Sequence, residues 1–427
     1  MTLTPPGTGR KPLHNGDSVL ITRVWVAGVG MTPFGIHEAK SNHDLARWAA
    51  REALADAGAA VGDIQIAFYG SATHGPLEGQ YSVGGQIAVR GLGMQKIPVY
   101  NVENACATGS TAISLAAMAI RAGEADIVLA LGSEKMNIGD RERTMAVFNS
   151  GYDVSDPDAL NRVLEQLGGV VDDSSVGMRS RFMDIYASWT RNHMRLHDTT
   201  QEHLAAVASK NHAHSVDNPR AHYRKPMTVE QVLAGRALSY PLTVPMCAPT
   251  TDGAAAAVLC SDEGLRKLSS ARPVRLLASV IASGSDRDIT TFDGHIAARA
   301  ATLAYERACI GPEDIDVAEV HDATSFGEIL QTEMLGLVPA GAGGPAAARG
   351  ETSLGGRIPV NPSGGLESKG HPIGATGLGQ VFELTEQLRG SAGPRQVEGA
   401  RFAIAENGGG FHRGEEAAAS IIILGGR

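Results

Sequence analysis

The sequence predicts an α/β protein of duplicated β-α-β-α-β units, stacked as α/β/α/β/α layers with an inserted loop domain. Three observations predict this class. At 427 residues the chain exceeds what one hydrophobic core usually supports. Glycine is abundant and aromatic residues make up only 5%, a composition that suits closely packed α/β layers. Finally, the order of strand and helix patterns in the first half recurs in the second half.

The elements of the two halves correspond one by one. The first half has the strand VWVAGVG from Val24, the amphipathic helix DLARWAAREALADAG, the strand DIQIAFYG, the helix start CATGSTAISLAAMAI and the strand DIVLALGSE. The second half has VRLLASVIASG, HIAARAATLAYERACIG, DIDVAEV, GATGLGQVFELTEQL and ARFAIAENGGG. Even the Asp-Ile before each second strand recurs, at Asp63-Ile64 and Asp314-Ile315. We therefore expect two mixed sheets with helices between and around them.

The pattern also predicts domain boundaries. Residues 1–19 form a polar N-terminal tail, and residues 20–138 with 239–268 form the N-terminal core. Residues 139–238 are an insertion rich in charged, histidine and aromatic residues, and residues 269–427 form the C-terminal core. An insertion of this length after a strand is typical of a lid or a substrate-binding subdomain, although its charges are equally consistent with a solvated surface.

Composition excludes several classes of function. The net charge of −9 argues against nucleic acid as a partner. No apolar run reaches the roughly 20 residues of a membrane span, and the N-terminus lacks the apolar core of a signal peptide. Four scattered cysteines without a CxxC pair predict no metal site and a reducing cytoplasm.

Cys106 stands in ENACATGSTA, where an extended segment turns into a helix. A helix N-terminus favours an anion, so we expect its thiolate to be stabilised. Its small neighbours Ala105, Ala107, Gly109 and Ser110 leave space for a substrate. The alternative interpretation is a buried, inert cysteine.

The second-half block NPSGGLESKGHPIGATG supplies His371, stiffened by the proline that follows it and able to take a thiol proton. Since the duplicated units pair, the helix starts CATG and GATG are expected to face one pocket. His321 ends a strand in HDATS, and Glu406 offers a carboxylate in ENGGG. One nucleophile, two histidines and one carboxylate thus converge on one edge.

At these residues the chain resembles the thiolase superfamily, and more narrowly the branch related to sterol carrier protein, from Val24 onward. The motifs on which the resemblance rests are CATGSTA, KNHAHSVDNP, CAPTTDGAAAAVL, HDA and NPSGGLESKGHPIGATG. The resemblance implies a Cys106 nucleophile that accepts an acyl group, His371 as its activator and His321 as a donor to the second thioester oxygen. It implies an oxyanion hole from the N–H groups of Cys106 and Gly408, with coenzyme A as substrate and no permanently bound cofactor.

One departure concerns the acid/base group. Thiolases normally carry a second cysteine, in CxGGG or, in this branch, in HDC-F. Glu406 and Ala323 occupy those two positions here. A carboxyl group whose pKa is raised by an enclosed apolar setting can exchange an α-proton, so we expect Glu406 to take over. A water held by His321 and His371 is the next candidate.

The expected reaction is cleavage of a 3-oxoacyl-CoA by coenzyme A, or the reverse Claisen condensation. Three alternatives stay open: retro-aldol cleavage of a β-hydroxyacyl-CoA with a small OB-fold and zinc-ribbon partner, acyl transfer to another carbon acceptor, and non-enzymatic binding of acyl-CoA or lipid. The resemblance implies a homodimer or a dimer of dimers. The coenzyme A phosphates are expected to meet basic residues of the insertion, among Arg179, Arg181, Arg191, Arg195 and Lys210.

Overall fold

The computed structural model describes residues 22–156, 158–168, 180–268 and 271–426, so the predicted tail 1–19 lies outside the described residues. The strands are β1 (Val24–Met31), β2 (Ile66–Gly70), β3 (Val99–Val102), β4 (Ile127–Glu134), β5 (Ala237–Ser239), β6 (Leu242–Thr243), β7 (Gly253–Cys260), β8 (Val274–Ser283), β9 (Val317–Glu319), β10 (Phe402–Gly409) and β11 (Ala418–Gly425). The helices are α1 (Asn42–Ala57), α2 (His74–Glu78), α3 (Gly84–Arg90), α4 (Thr108–Arg121), α5 (Arg141–Phe148), α6 (Ala159–Gln166), α7 (Phe182–His197), α8 (Gln201–His214), α9 (Val229–Leu233), α10 (Asp262–Lys267), α11 (Ile296–Ala308), α12 (Ser325–Met334), α13 (Gly343–Ala348) and α14 (Thr376–Leu388). The predicted α/β class is confirmed.

The main sheet has the strand order β3-β2-β4-β7-β1-β8-β11-β10-β9. Read outward from the pairing of β1 with β8, the strands are β1, β7, β4 and β2 in the first half and β8, β11, β10 and β9 in the second. In both halves this is the first strand, the last strand, the strand after α4 or α14, and the second strand. The duplication seen in the sequence is therefore visible in the topology. One expectation was wrong: the halves do not form two separate sheets, because Val24–Val26 of β1 pair with Val274–Leu276 of β8 and make the sheet continuous.

The layers follow from which faces are apolar. Helices α4 and α14 pack together between the two halves, in a core that takes buried side chains from both sets of strands. Helix α1 covers the outer face of the first half, and α11 covers that of the second. This is the α/β/α/β/α order that the duplicated pattern predicts.

The repeated Asp-Ile pairs have a local cause. Asp63 and Asp314 each end a 3-10 turn, and each carboxylate accepts the backbone N–H three residues earlier, at 2.7 and 2.8 Å. The following isoleucines are buried. The pairs therefore close the turn before each second strand rather than begin it, since β2 and β9 start two or three residues later.

Glycines allow the two helix starts to meet in the central layer. An added Cβ on Gly109 would lie 2.9 Å from the carbonyl oxygen of Gly374, and one on Gly132 would overlap the same oxygen. The N-terminal ends of α4 and α14 can therefore approach at backbone distance. No helix in the described ranges is long and apolar enough to cross a bilayer.

Replacement of Gly132 by alanine tests this packing. The new methyl must displace a backbone carbonyl, so we expect Gly132→Ala to lower the free energy of unfolding by about 1–3 kcal/mol. Gly62→Ala is the matched control, because a Cβ there meets nothing within 4 Å. Urea unfolding of both variants checks this, and equal midpoints would contradict the close approach.

Candidate active site

Cys106 lies on the turn between β3 and α4. Residues Ala105–Ala107 form one 3-10 turn, which α4 continues from Thr108. Ala105 has a φ of 47°, in the left-handed region that non-glycine residues rarely occupy. Its N–H donates to Glu103 Oε1 at 2.6 Å, and its carbonyl accepts the Thr108 hydroxyl at 2.6 Å. These local bonds hold the strained turn and present the sulfur at the start of the helix.

His371 is the nearest base to that sulfur, with its Nε2 3.3 Å from Cys106 Sγ. Its Nδ1 lies 2.6 Å from the hydroxyl oxygen of Thr376, and this hydroxyl donates its single proton to the carbonyl of Pro372 at 3.0 Å. The hydroxyl oxygen must therefore accept the Nδ1–H of His371. This network assigns the tautomer that leaves the Nε2 lone pair facing the thiol.

The resting sulfur is a thiol, not the thiolate that the helix position predicted. Burial, and next the charge of Glu134, raise the pKa of Cys106 to about 12. The backbone N–H groups of Gly410 and Cys106 point at the sulfur and act to lower the pKa, but they are outweighed. Burial and the neighbouring His321 ring hold the pKa of His371 well below its usual value. The pair at rest is therefore a neutral thiol and a neutral imidazole.

His321 follows β9 and packs edge-on against His371, with ring centroids 5.1 Å apart. Its Nδ1 lies 3.5 Å from the hydroxyl of Tyr186, and its buried Nε2 has no partner among the described residues. Burial lowers the pKa of His321 to about 4, against the opposing charge of Glu416. The contact with the phenol is compatible with a proton on either nitrogen of the neutral ring, because a hydroxyl can donate to Nδ1 or accept from it. With its proton on Nε2, His321 is a donor toward the unpartnered side, whereas the network around His371 makes that ring an acceptor.

Glu406 lies behind His321 rather than in the cavity. Its Oε2 accepts the backbone N–H of His321 at 3.0 Å, and its buried Oε1 has no partner among the described residues. Burial raises its pKa well above the usual value, as expected. The prediction that this carboxyl meets a substrate carbon is nevertheless corrected, because Glu406 does not line the cavity. Its contact positions His321 instead.

A cavity of about 540 Å³ opens above these groups. Cys106, His321 and His371 line it, and so does Gly408, the predicted oxyanion donor. Most other lining side chains are apolar, including Phe148, Phe182, Met183, Trp189, Val244 and Phe411. Because so much of the wall is apolar, the cavity suits a ligand with an apolar portion that reaches the sulfur.

The cations predicted for phosphate contacts do not line this cavity. Arg179 lies outside the described residues. Arg181 lies near Asp184, Arg191 donates to the carbonyl of Tyr240, and Arg195 donates to Asn192. Lys210 is buried in an ion pair with Glu328 at 2.9 Å and donates to the carbonyl of Val360 at 2.7 Å. The cavity therefore gives no support to the predicted phosphate contacts of the four described cations, and Lys210 is in addition buried.

Several lining residues were missed by the sequence reasoning. Arg141, Lys225 and Arg236 are the basic lining residues, and Tyr186 and Glu416 lie near His321. Burial acts to raise the pKa of Glu416, but His295, whose Nε2 is 3.0 Å away, a backbone N–H and His321 together lower it. These residues come from segments without a catalytic motif. For the four residues of the insertion the only signal was its polar character, which does not distinguish one residue from another, and Glu416 lies in the C-terminal core outside any motif.

Comparison with known proteins places both halves in recognised families of domains. Residues 24–235 match "Thiolase, N-terminal domain", and residues 281–425 match "Thiolase C-terminal domain-like". Sterol carrier protein 2 of Oryctolagus cuniculus is 39% identical over 397 residues, covering 91% of this chain and 70% of that protein. Acetyl-CoA acetyltransferase of Methanothermobacter thermautotrophicus is also 39% identical over 397 residues, covering 91% and 96%.

A solved structure, the Ltp2-ChsH2(DUF35) aldolase, superposes with a TM-score of 0.76 at 23% identity, covering 95% of this chain and 98% of that one. At this identity the likeness supports the fold alone.

The ionisation of Cys106 can be measured from thiolate absorbance near 240 nm. We expect the difference spectrum between the wild type and Cys106→Ala to show no thiolate band from pH 6 to pH 9, because a pKa raised to about 12 keeps the sulfur protonated throughout that range. The exposed Cys309 is present in both proteins and cancels. A band already present at pH 7 would show an ionised resting sulfur.

Proposed function

This chain belongs to the thiolase family, and from that premise we propose that it cleaves a 3-oxoacyl-CoA with coenzyme A, or runs the reverse condensation, through an acyl-enzyme on Cys106. The observation that carries the proposal is the 3.3 Å contact between Cys106 Sγ and the basic Nε2 of His371. A thiol paired with an oriented base at the wall of an accessible cavity is the arrangement that nucleophilic acyl transfer needs.

The reaction has two halves. The sulfur of Cys106 attacks the ketone carbon while His371 takes the thiol proton, and collapse of the adduct breaks the carbon–carbon bond and leaves the acyl group on sulfur. The departing enolate of the shorter thioester takes a proton. Coenzyme A then accepts the acyl group. N–H groups of Cys106 and Gly408 would stabilise one oxyanion and His321 the other, each well-placed donor contributing on the order of 3 kcal/mol.

Exposed cations at the cavity support coenzyme A as a substrate rather than a resident cofactor. Lys225 and Arg236 line the cavity and are exposed. Within the described part of the chain their side chains have no hydrogen bond or ion pair. Unpartnered cations beside an apolar cavity suit a ligand with a phosphorylated head and a thioester tail. We assign the phosphate contacts to these residues instead of the arginines predicted from the sequence.

For assembly we propose a homodimer or a dimer of dimers. Strand β3 ends the sheet on one side, and Tyr100 on it is half exposed. An uncovered edge strand of this kind pairs readily with a second copy. The four cysteines are free, which supports the cytoplasm as the compartment.

Retro-aldol cleavage with a small OB-fold and zinc-ribbon partner is the second candidate function. It is favoured by the aldolase in the comparison, whose name pairs Ltp2 with ChsH2(DUF35). Such a cleavage needs no acyl group on sulfur, so the oriented Cys106–His371 pair favours thiolysis. Acyl transfer to another carbon acceptor uses the same acyl-enzyme and differs only in the acceptor. A protein that only binds acyl-CoA or lipid would need neither His371 as a base nor His321 as a hydrogen-bond donor.

Trapping the acyl-enzyme tests the proposal. We expect wild-type protein mixed with a 3-oxoacyl-CoA without free coenzyme A to gain the mass of the acyl group on the peptide that carries Cys106. Cys106→Ser should show no such thioester, whereas Cys309→Ser, at an exposed helix end, should acylate like the wild type. Cleavage of a β-hydroxyacyl-CoA without any acylation would favour the aldolase instead.

Kinetics of the cation variants test the coenzyme A site. A charge-assisted hydrogen bond contributes about 1.5–3 kcal/mol, so Lys225→Ala and Arg236→Ala should each raise KM for coenzyme A about tenfold or more. We expect kcat to change little, because a phosphate contact is made equally in the bound substrate and in the transition state. Lys40→Ala, at an exposed site outside the cavity, is the charge-matched control. An unchanged KM in both cavity variants would refute the assignment.

A further inference from the structure

The proposed reaction consists of two half-reactions, acylation of Cys106 and transfer of the acyl group to coenzyme A, and each half-reaction moves one proton. In the first half the S–H bond of Cys106 breaks and one C–H bond forms at the α-carbon of the departing thioester. In the second half the S–H bond of coenzyme A breaks and the S–H bond of Cys106 forms again. Each half therefore has one proton donor and one proton acceptor, so a single group that receives and returns a proton would be enough.

The proton carrier must lie close to the sulfur. In the tetrahedral adduct the α-carbon is only two bonds from Cys106 Sγ, and a carrier must reach it at hydrogen-bonding distance. Within the described ranges, the cluster of ligand-type atoms around this sulfur contains Cys106, His321 and His371, all within 4.8 Å of one another. No carboxylate belongs to that cluster, so the carrier is sought among the two imidazoles.

The other acidic groups near the cavity are already held in place. Glu406 is turned toward the backbone of His321 and does not line the cavity. Glu367 lines it, but its oxygens accept the Ser325 hydroxyl at 2.5 Å and the Asn211 amide at 3.1 Å.

Glu416 also lines the cavity, and it is similarly occupied. It accepts the Gln331 amide at 3.0 Å, and the ring of His295 lies 3.0 Å away. None of the three carboxyl groups is free to approach the α-carbon without losing these contacts.

The two histidines differ in how they are held. The Thr376 hydroxyl fixes the proton of His371 on Nδ1, so its Nε2 can accept a proton. The 3.5 Å contact between Nδ1 of His321 and the Tyr186 hydroxyl fixes no tautomer, because a phenol can donate or accept. His371 is the ring in contact with the thiol, with its Nε2 3.3 Å from Sγ, so it is placed to take the thiol proton and later give it up.

We propose that His371 alone carries the proton in both halves, which makes a second acid/base residue unnecessary; this inference rests on the proposed function. Its Nε2 takes the proton of Cys106 as the sulfur bonds to the ketone carbon, and gives the same proton to the α-carbon as the carbon–carbon bond pair leaves. In the second half Nε2 takes the coenzyme A proton as that sulfur attacks, and gives it to Cys106 as the thioester bond breaks. His371 is neutral at the beginning and end of each half.

Burial of His371 favours the step of this cycle in which the ring gives its proton up. Since the pKa of the ring is held well below its usual value by desolvation, the imidazolium is a strong acid while it exists and returns its proton readily. His321, the charged or titratable group packed directly against it, is neutral as well. The carboxylate of Glu134 is held by the backbone N–H groups of Ala72, Thr73 and Gly374.

The experiment measures proton transfer at the α-carbon independently of the acylation of Cys106. In a Cys106→Ala background, which forms no acyl-enzyme, exchange of the α-hydrogens of acetyl-CoA in D₂O is followed by ¹H NMR. We expect exchange in this background and a loss of at least roughly 100-fold on adding His371→Asn, whereas adding Glu406→Gln or Glu367→Gln should lower the rate far less than His371→Asn does. Retained coenzyme A binding by calorimetry shows that each variant is folded.

Each outcome decides one claim. Exchange that survives His371→Asn but is lost with Glu406→Gln or Glu367→Gln would overturn the inference and assign a separate acid. His371→Gln, which restores side-chain length without a base, should fail like the asparagine variant, and its activity would also count against a proton carried by the imidazole. Absence of an acyl group on wild-type Cys106 would refute the proposed function and leave the exchange result intact.

Discussion

The contact between Cys106 Sγ and His371 Nε2 depends on how closely the two halves of the chain approach each other. The residues are 265 positions apart and meet at 3.3 Å, one at the start of α4 and the other just before α14. That meeting needs backbone in contact with backbone. An added Cβ on Gly109 would crowd Gly374, and one on Gly377 would overlap Ser110. Larger residues at these positions would separate base from thiol without touching either.

Glu134 links this approach to the protonation of the sulfur. Its carboxylate, at the end of β4, accepts the N–H groups of Ala72 and Thr73 at 3.1 Å and that of Gly374 at 3.2 Å. It therefore ties a first-half loop to the second-half helix start. The same charge acts to raise the pKa of Cys106. Glu134 thus helps to bring His371 and Cys106 together and also favours a neutral thiol at rest. Negative charge develops on the Cys106 sulfur only as the acyl group arrives.

Sequence reasoning predicted the features that have a local pattern. These features are the duplicated order of strands and helices, the turn at Cys106 and the GHP turn at His371. Each is encoded by neighbouring residues in the sequence, and the structure brings the two turns together. What it could not predict depends on long-range burial. A helix N-terminus favours a thiolate locally, but desolvation of Cys106 outweighs that effect. In the sequence Lys210 resembles a cation that could bind a ligand, but its side chain is buried and bonded to Glu328 and to the carbonyl of Val360.

The missing second thiol is consistent with this electrostatic design. Ala323 lines the cavity where a cysteine stands in the branch that the chain resembles, and an additional acid near the sulfur would bring another titratable group into a dry site. The pKa values of the carboxyls that do come near are shifted in opposite directions: burial raises the pKa of Glu406, and the neighbouring His295 helps to lower that of Glu416. The absence of the thiol therefore fits a site in which one base is sufficient, because the carboxyls nearest the sulfur are held by other contacts or turned away.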